Sequence, residues 1–182
     1  MKKLFENKNL IYIICEGVAL LFGILTFGFL FSPAVFERDK PSLSMFQLAT
    51  GADVRLEASP LMIYGIILIC LSILATVALI VLLIMKKANS LIMTILSVTS
   101  IATILIGAAI CSCALFITGF NTLNSELGFT QGQWGIEYGN ILVPVFALLS
   151  IVASYPAALI ILHQKDLKDV AKNKPADTIE QE

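Results

Sequence analysis

Residues 90–118 form an uncharged run long enough to cross a bilayer. Within it Ser90, Thr94, Ser97, Ser100, Thr103, Gly107, Cys111, Ala114 and Thr118 recur in steps of three or four, eight steps over 28 positions. Small or weakly polar side chains spaced about 3.5 residues apart make one narrow seam on a helix, winding slowly to the left. Lipid tails give apolar side chains no reason to cluster, so a seam of small residues marks where other helices approach closely. This run is expected to be the central packing helix of a membrane bundle.

The rest of the chain agrees with that environment. Of 182 residues, 58% are hydrophobic and 14% charged, against about 45–50% and about 25% in soluble domains. Mean hydropathy is +0.90. Four apolar blocks fill the chain: residues 10–31, 60–85, 90–118 and 138–163. Each exceeds the ~20 residues that a hydrocarbon core of ~30 Å requires. The expected fold class is therefore all-α: a polytopic membrane protein, residues 1–182 forming one membrane domain, a four-transmembrane-helix bundle with two long outer loops. No small-x-small cleavage site closes the first block and Pro33 follows it, so an uncleaved first span is expected. Only Ala88 and Asn89 separate Lys86-Lys87 from the third block, which makes spans two and three a tight hairpin.

Orientation follows from where Lys and Arg fall. Lys2, Lys3, Lys8, Lys86, Lys87, Lys165, Lys168, Lys172 and Lys174 lie on one side, and Arg38, Lys40 and Arg55 on the other. Both termini are then cytoplasmic, and the protein is expected to be integral to the plasma membrane. Residues 32–59 and 119–137 face outward, and the polar tail 164–182 faces inward. In the first outer loop Met45-Phe46-Gln47-Leu48 is apolar enough to dip into the interface, and Gly51-Ala52-Asp53 suits a turn. Trp134 and Tyr138 suit the headgroup layer. Loops this long exceed what closure needs, so they are expected to pack on each other or on a partner. The first residues of the tail extend the fourth helix for a few turns.

Glu16 is the one acidic or basic residue within the four blocks, with His163 at the edge of the last. An ionisable group in a membrane helix is a functional hypothesis by default. Glu16, Ala19, Gly23 and Thr26 share a small-residue face, which points the carboxyl into the bundle. Glu16 lies six residues past Leu10, roughly 9 Å in from the cytoplasmic edge. By the same arithmetic Thr76, Ser97, Ser100, Ser154 and Tyr155 lie roughly 10–16 Å deep, so these groups form one candidate polar layer. A carboxyl among hydroxyls with no cation is expected to be neutral, because desolvation opposes the charge. Three roles are open to it: a structural bond to Ser97 or Ser100, snorkelling to the cytoplasmic edge, or a proton or cation site.

Other chemistry has little to stand on. The sequence has no GxSxG, no HExxH and no phosphate-cradling glycine loop, so no catalytic residue is expected. Cys15, Cys70, Cys111 and Cys113 all sit inside apolar blocks and are expected to serve as small apolar side chains. Nothing resembles a metal-ligand cluster, no cofactor is implied, and the basic–aromatic surface of a nucleic-acid binder is absent. His163 suits a helix C-terminus, where positive charge is welcome.

Four spans with cytoplasmic termini resemble the general plan of claudin-like and tetraspanin-like proteins. The Trp and paired cysteines of the former's first outer loop, and the Cys-Cys-Gly of the latter's second, are not in this sequence. An early carboxylate on the first of four spans, Glu16, resembles small multidrug-resistance exporters, where that group binds protons and cationic drugs. This chain is longer, with larger loops, and lacks their Trp-bearing third span. Two functions are therefore expected in competition. One is a non-catalytic subunit or accessory factor that contacts the lipid bilayer and a membrane-protein partner, or itself. The other is a small proton-coupled transporter or exporter using Glu16.

Overall fold

Each apolar block is a helix in the computed structural model. The structure describes residues 2–37, 42–51, 58–85, 90–114 and 134–172, with the backbone alone at 2–9, 37, 90, 114, 134–135 and 157–172. The spans are carried by α1 (Lys2–Phe29), α3 (Pro60–Ile84), α4 (Ser90–Ala114) and α5 (Tyr138–Lys172). Between them lie β1 (Pro33–Glu37), β2 (Leu43–Ser44), the short helix α2 (Met45–Thr50) and β3 (Trp134–Ile136). Of the third span and its seam, residues 115–118 with Thr118 lie outside the described residues, as do 119–133 of the second outer loop and 173–182 of the tail.

The four long helices are apolar enough over Leu10–Phe29, Pro60–Ile84, Leu91–Cys113 and Tyr138–Pro156 to cross a membrane. Their burial is inverted relative to a soluble bundle. Glu16, Thr26, Ser72, Thr76, Ser97, Ser100, Ser150 and Ser154 are buried, while Leu74 and Val152 are 64% and 66% exposed. Only a hydrocarbon solvent makes that arrangement favourable, because it satisfies Leu and Val outside and leaves polar groups to seek each other inside. The protein is a four-span integral membrane helix bundle.

The helices form a ring in which α1 packs on α3 and α5, and α4 packs on α3 and α5. Neighbours run antiparallel. On α1 the buried positions are Tyr12, Glu16, Ala19, Gly23 and Thr26, with Leu30 just past its end, alternating by four and three. On α4 they are Ser97, Ser100, Ile104, Gly107, Ala108 and Cys111. The seam therefore faces inward at Ser97, Ser100, Gly107 and Cys111. Thr94 and Thr103 are half-buried beside it, and Ser90 and Ala114 are described by backbone alone. Closest approach comes at Gly107, where an added Cβ would stand 2.7 Å from the Gly65 carbonyl oxygen of α3. At Gly65 it would meet Cys111 Sγ at 2.9 Å and the Gly107 oxygen at 3.1 Å.

One end of the ring carries the start of α1 and the end of α5, the helix ends nearest the termini, and the other is capped. In the cap β1 pairs antiparallel with β2 and with β3, giving the order β2-β1-β3. Val35 stands opposite Ile136 and Glu37 opposite Trp134, so the segments before α2 and before α5 are joined. The apolar run at Met45 does more than dip into the interface: it is α2, started by a capping box. Ser44 Oγ accepts from the Gln47 N–H at 3.2 Å, and Gln47 Oε1 accepts from the Ser44 N–H at 2.9 Å. It ends at Gly51, whose φ of 71° is the left-handed value glycine adopts without strain. Met45, Leu48 and Ala49 are buried in one core with Leu30, Ala34, Val35 and Met62.

Close approach at Gly107 yields a test. Gly107→Ala is expected to destabilise the bundle by about 1–3 kcal/mol, measured by thermal or SDS unfolding in micelles. Gly17→Ala and Gly28→Ala, where an added Cβ meets nothing within 4 Å, are expected to leave stability unchanged or slightly raised.

Candidate functional site

Buried polar groups fall into two tied pairs of helices. Between α3 and α4, Ser72 Oγ donates to the Ser100 carbonyl at 2.8 Å and lies 3.1 Å from Ser100 Oγ. Thr76 Oγ1 is 2.6 Å from Ser100 Oγ and 3.0 Å from the Ser72 carbonyl, to which it donates in one arrangement of the protons. Three hydroxyls and two carbonyls thus satisfy one another without water. Thr103 turns back on its own helix, donating to the Thr99 carbonyl at 2.7 Å.

Between α1 and α5, Ser150 Oγ donates to the Ala19 carbonyl at 2.8 Å, and Ser154 Oγ donates to Glu16 Oε2 at 3.3 Å. Thr26 bonds the Phe22 carbonyl at 2.8 Å. Above these bonds the Phe146 ring stacks between Phe22 and Phe29, at centroid distances of 6.1 and 5.0 Å.

The polar layer expected from depth alone is therefore split. Thr76 and Ser100 belong to the α3–α4 cluster; Glu16 and Ser154 belong to the α1–α5 pair. The expected Glu16 bond to Ser97 or Ser100 is replaced by the one to Ser154, because α5 lies beside α1 while Ser100 is engaged by α3. Tyr155 does not join the layer: one residue on from Ser154 turns it by about 100°, and it is 57% exposed on the outer face. Nor does Glu16 snorkel, being only 1% exposed. Cys111 is buried and Cys113 exposed, as two residues of spacing on a helix requires. The side chain of His163 is outside the described set.

Glu16 has one carboxylate oxygen bonded and the other not. Buried without a hydrogen-bond partner are Glu16 Oε1, Tyr12 Oη and Ser97 Oγ, with Ser112 Oγ and Asn140 Oδ1 at the capped end. Buried polar atoms are rarely left so. Tyr12 was legible as the next inward position one turn before Glu16; Ser72 and Ser150 stand one turn before Thr76 and Ser154 in the same way. Among the described residues no group of three or more His, Cys, Asp and Glu is placed to hold a metal ion.

At the capped end, Ser42 Oγ donates to Glu137 Oε1 at 2.6 Å, and the Glu137 N–H donates to the Ala34 carbonyl at 2.9 Å. Phe31 packs against Phe46 at 4.7 Å and against Phe27 at 5.5 Å. Phe31, Phe36 and Phe46 keep much of their surface exposed.

Unequal satisfaction gives unequal mutational effects. Ser100→Ala is expected to cost about 1–2 kcal/mol, since one hydroxyl serves two neighbours in hydrocarbon, while Tyr155→Phe is expected to change stability by under about 0.5 kcal/mol; unfolding in micelles measures both. No protein-family model matches the sequence, and no curated protein and no solved structure matches it.

Proposed function

We propose that this four-span protein is non-catalytic and works by association, its capped end docking a membrane-protein partner or a second copy. The observation that supports the reading is the construction of the cap. Strands from both outer segments pair, a capped helix braces them, and aromatic rings at Phe31, Phe36 and Phe46 stay exposed on the result. Enriched aromatics are typical of interfaces. On the Lys and Arg distribution, the capped end faces outward and the termini-bearing end faces the cytoplasm.

The reading is tested by particle mass after extraction in mild detergent. Mass photometry is expected to give species above one chain, and Phe36→Ser with Phe46→Ser is expected to reduce them to single chains. Single chains under every mild condition count against association.

A second reading, favoured by the unpartnered Glu16 Oε1, is a small transporter with Glu16 as its coupling group. Here Glu16→Gln abolishes flux in proteoliposomes at unchanged expression and thermal stability. Flux that survives the substitution, or a variant that is only less stable, assigns Glu16 to structure.

A further inference from the structure

Three unpartnered oxygens, those of Glu16, Tyr12 and Ser97, lie in the termini-bearing half of the bundle. At mid-bundle a Cβ on Gly23 of α1 would lie 3.9 Å from Ile104 Cδ1 of α4, so these two positions face one another across the ring axis. Both run in the same direction, because each is antiparallel to α5 and to α3. Seven residues back from Gly23 is Glu16, and seven back from Ile104 is Ser97. Seven residues are close to two turns, so each retains its partner's facing direction. Glu16 and Ser97 therefore face one another across the axis, about 10 Å nearer the termini-bearing end. Tyr12 stands one turn beyond Glu16 on the same face. It is buried with Leu79 and Leu83 of α3, and Met93 and Leu96 of α4 pack against that cluster. Glu16, Tyr12 and Ser97 are 1%, 3% and 2% exposed.

Oxygen is the only element these side chains offer, and one of them is a carboxyl. A bare buried carboxylate is costly in hydrocarbon, and among the described residues no ion pair neutralises it. One carboxyl balances one positive charge; divalent ions in protein cages draw on more carboxylates than that. We propose that Glu16, Tyr12 and Ser97, with Ser154 holding the second carboxylate oxygen, form an axial binding site for one small monovalent metal cation. Glu16 Oε1 supplies the charge, and the Tyr12 and Ser97 hydroxyl oxygens supply neutral ligands from opposite sides. Ser154 positions the carboxylate. The site is independent of docking at the cap. It deepens the transport reading by naming a ligand class, yet stands if no flux is found.

The test is thermal unfolding of the full-length chain in micelles, in NaCl, KCl or N-methylglucamine chloride at one ionic strength and pH. A ligand that binds only the folded state raises the midpoint saturably. The expected result is a rise of several degrees in Na⁺ or K⁺ over N-methylglucamine. That increment is lost in Glu16→Gln, and in Ser97→Ala or Tyr12→Phe its half-saturating concentration is about tenfold higher. Should Glu16→Gln fail to fold, Ser97→Ala and Tyr12→Phe carry the decision alone. Midpoints indifferent to the cation, as a bridging water or a simple proton would give, overturn the site. So does an increment that persists at full size in Glu16→Gln or in both hydroxyl variants. Ion-dependent stabilisation without flux keeps the site and removes the transport reading.

Discussion

Hydrocarbon solvent removes the force that assembles a soluble core, and that single constraint explains why the buried positions among the described residues are so often small or polar. Lipid tails are as apolar as leucine, so helices associate only where backbones come close or where polar groups meet. Between α3 and α4 both occur on one line: Gly65 against Gly107, then Ser72 and Thr76 around Ser100. Between α1 and α5 the same logic uses Ala19, Ser150, Glu16 and Ser154. The ring is two tied pairs, and Gly23 opens the centre enough for Ile73 and Ile104 to meet there.

The cap repeats the pairing by other means. β1 leaves α1 and β3 enters α5, so their pairing joins the same two helices that Ser150 and Ser154 join lower down. Gly139 lets the start of α5 press on this strand, since an added Cβ would stand 2.5 Å from the Pro33 carbonyl oxygen. The first and last spans, distant in sequence, are thus fastened at two heights. That leaves the α1–α5 pair as the frame on which Glu16 is mounted.

Much of this was legible in the residues. The four spans follow from length and apolarity, and the inward seam of α4 follows from small residues spaced near 3.5. The face of α1 was readable from Glu16 forward. Extended one turn backward, the same spacing would have found Tyr12. Depth arithmetic places groups at one level but says nothing of which helices are neighbours, and for that reason the structural role open to Glu16 names Ser97 or Ser100 where the bond goes to Ser154. Tyr155 failed because depth ignores facing direction. The capping box at Ser44–Gln47 was written in the sequence. The strands were not, since two to five residues are too few for alternation to show and β3 lies about a hundred positions from its partner β1.

The frame of the bundle depends most on the small-residue face of α1 being pressed against α5. Disulfide cross-linking in native membranes measures this directly, with the four native cysteines replaced by alanine and Gly23→Cys combined with Ser150→Cys. A Cβ on Gly23 would lie 4.0 Å from Ser150 Oγ, within reach of a disulfide after small adjustments. Rapid intramolecular cross-linking of this pair, and none when Gly28→Cys replaces Gly23→Cys, is the result predicted. Failure of the Gly23 pair to cross-link, with the outward pair reacting instead, would contradict the packing on which the carboxyl site and the joined cap both rest.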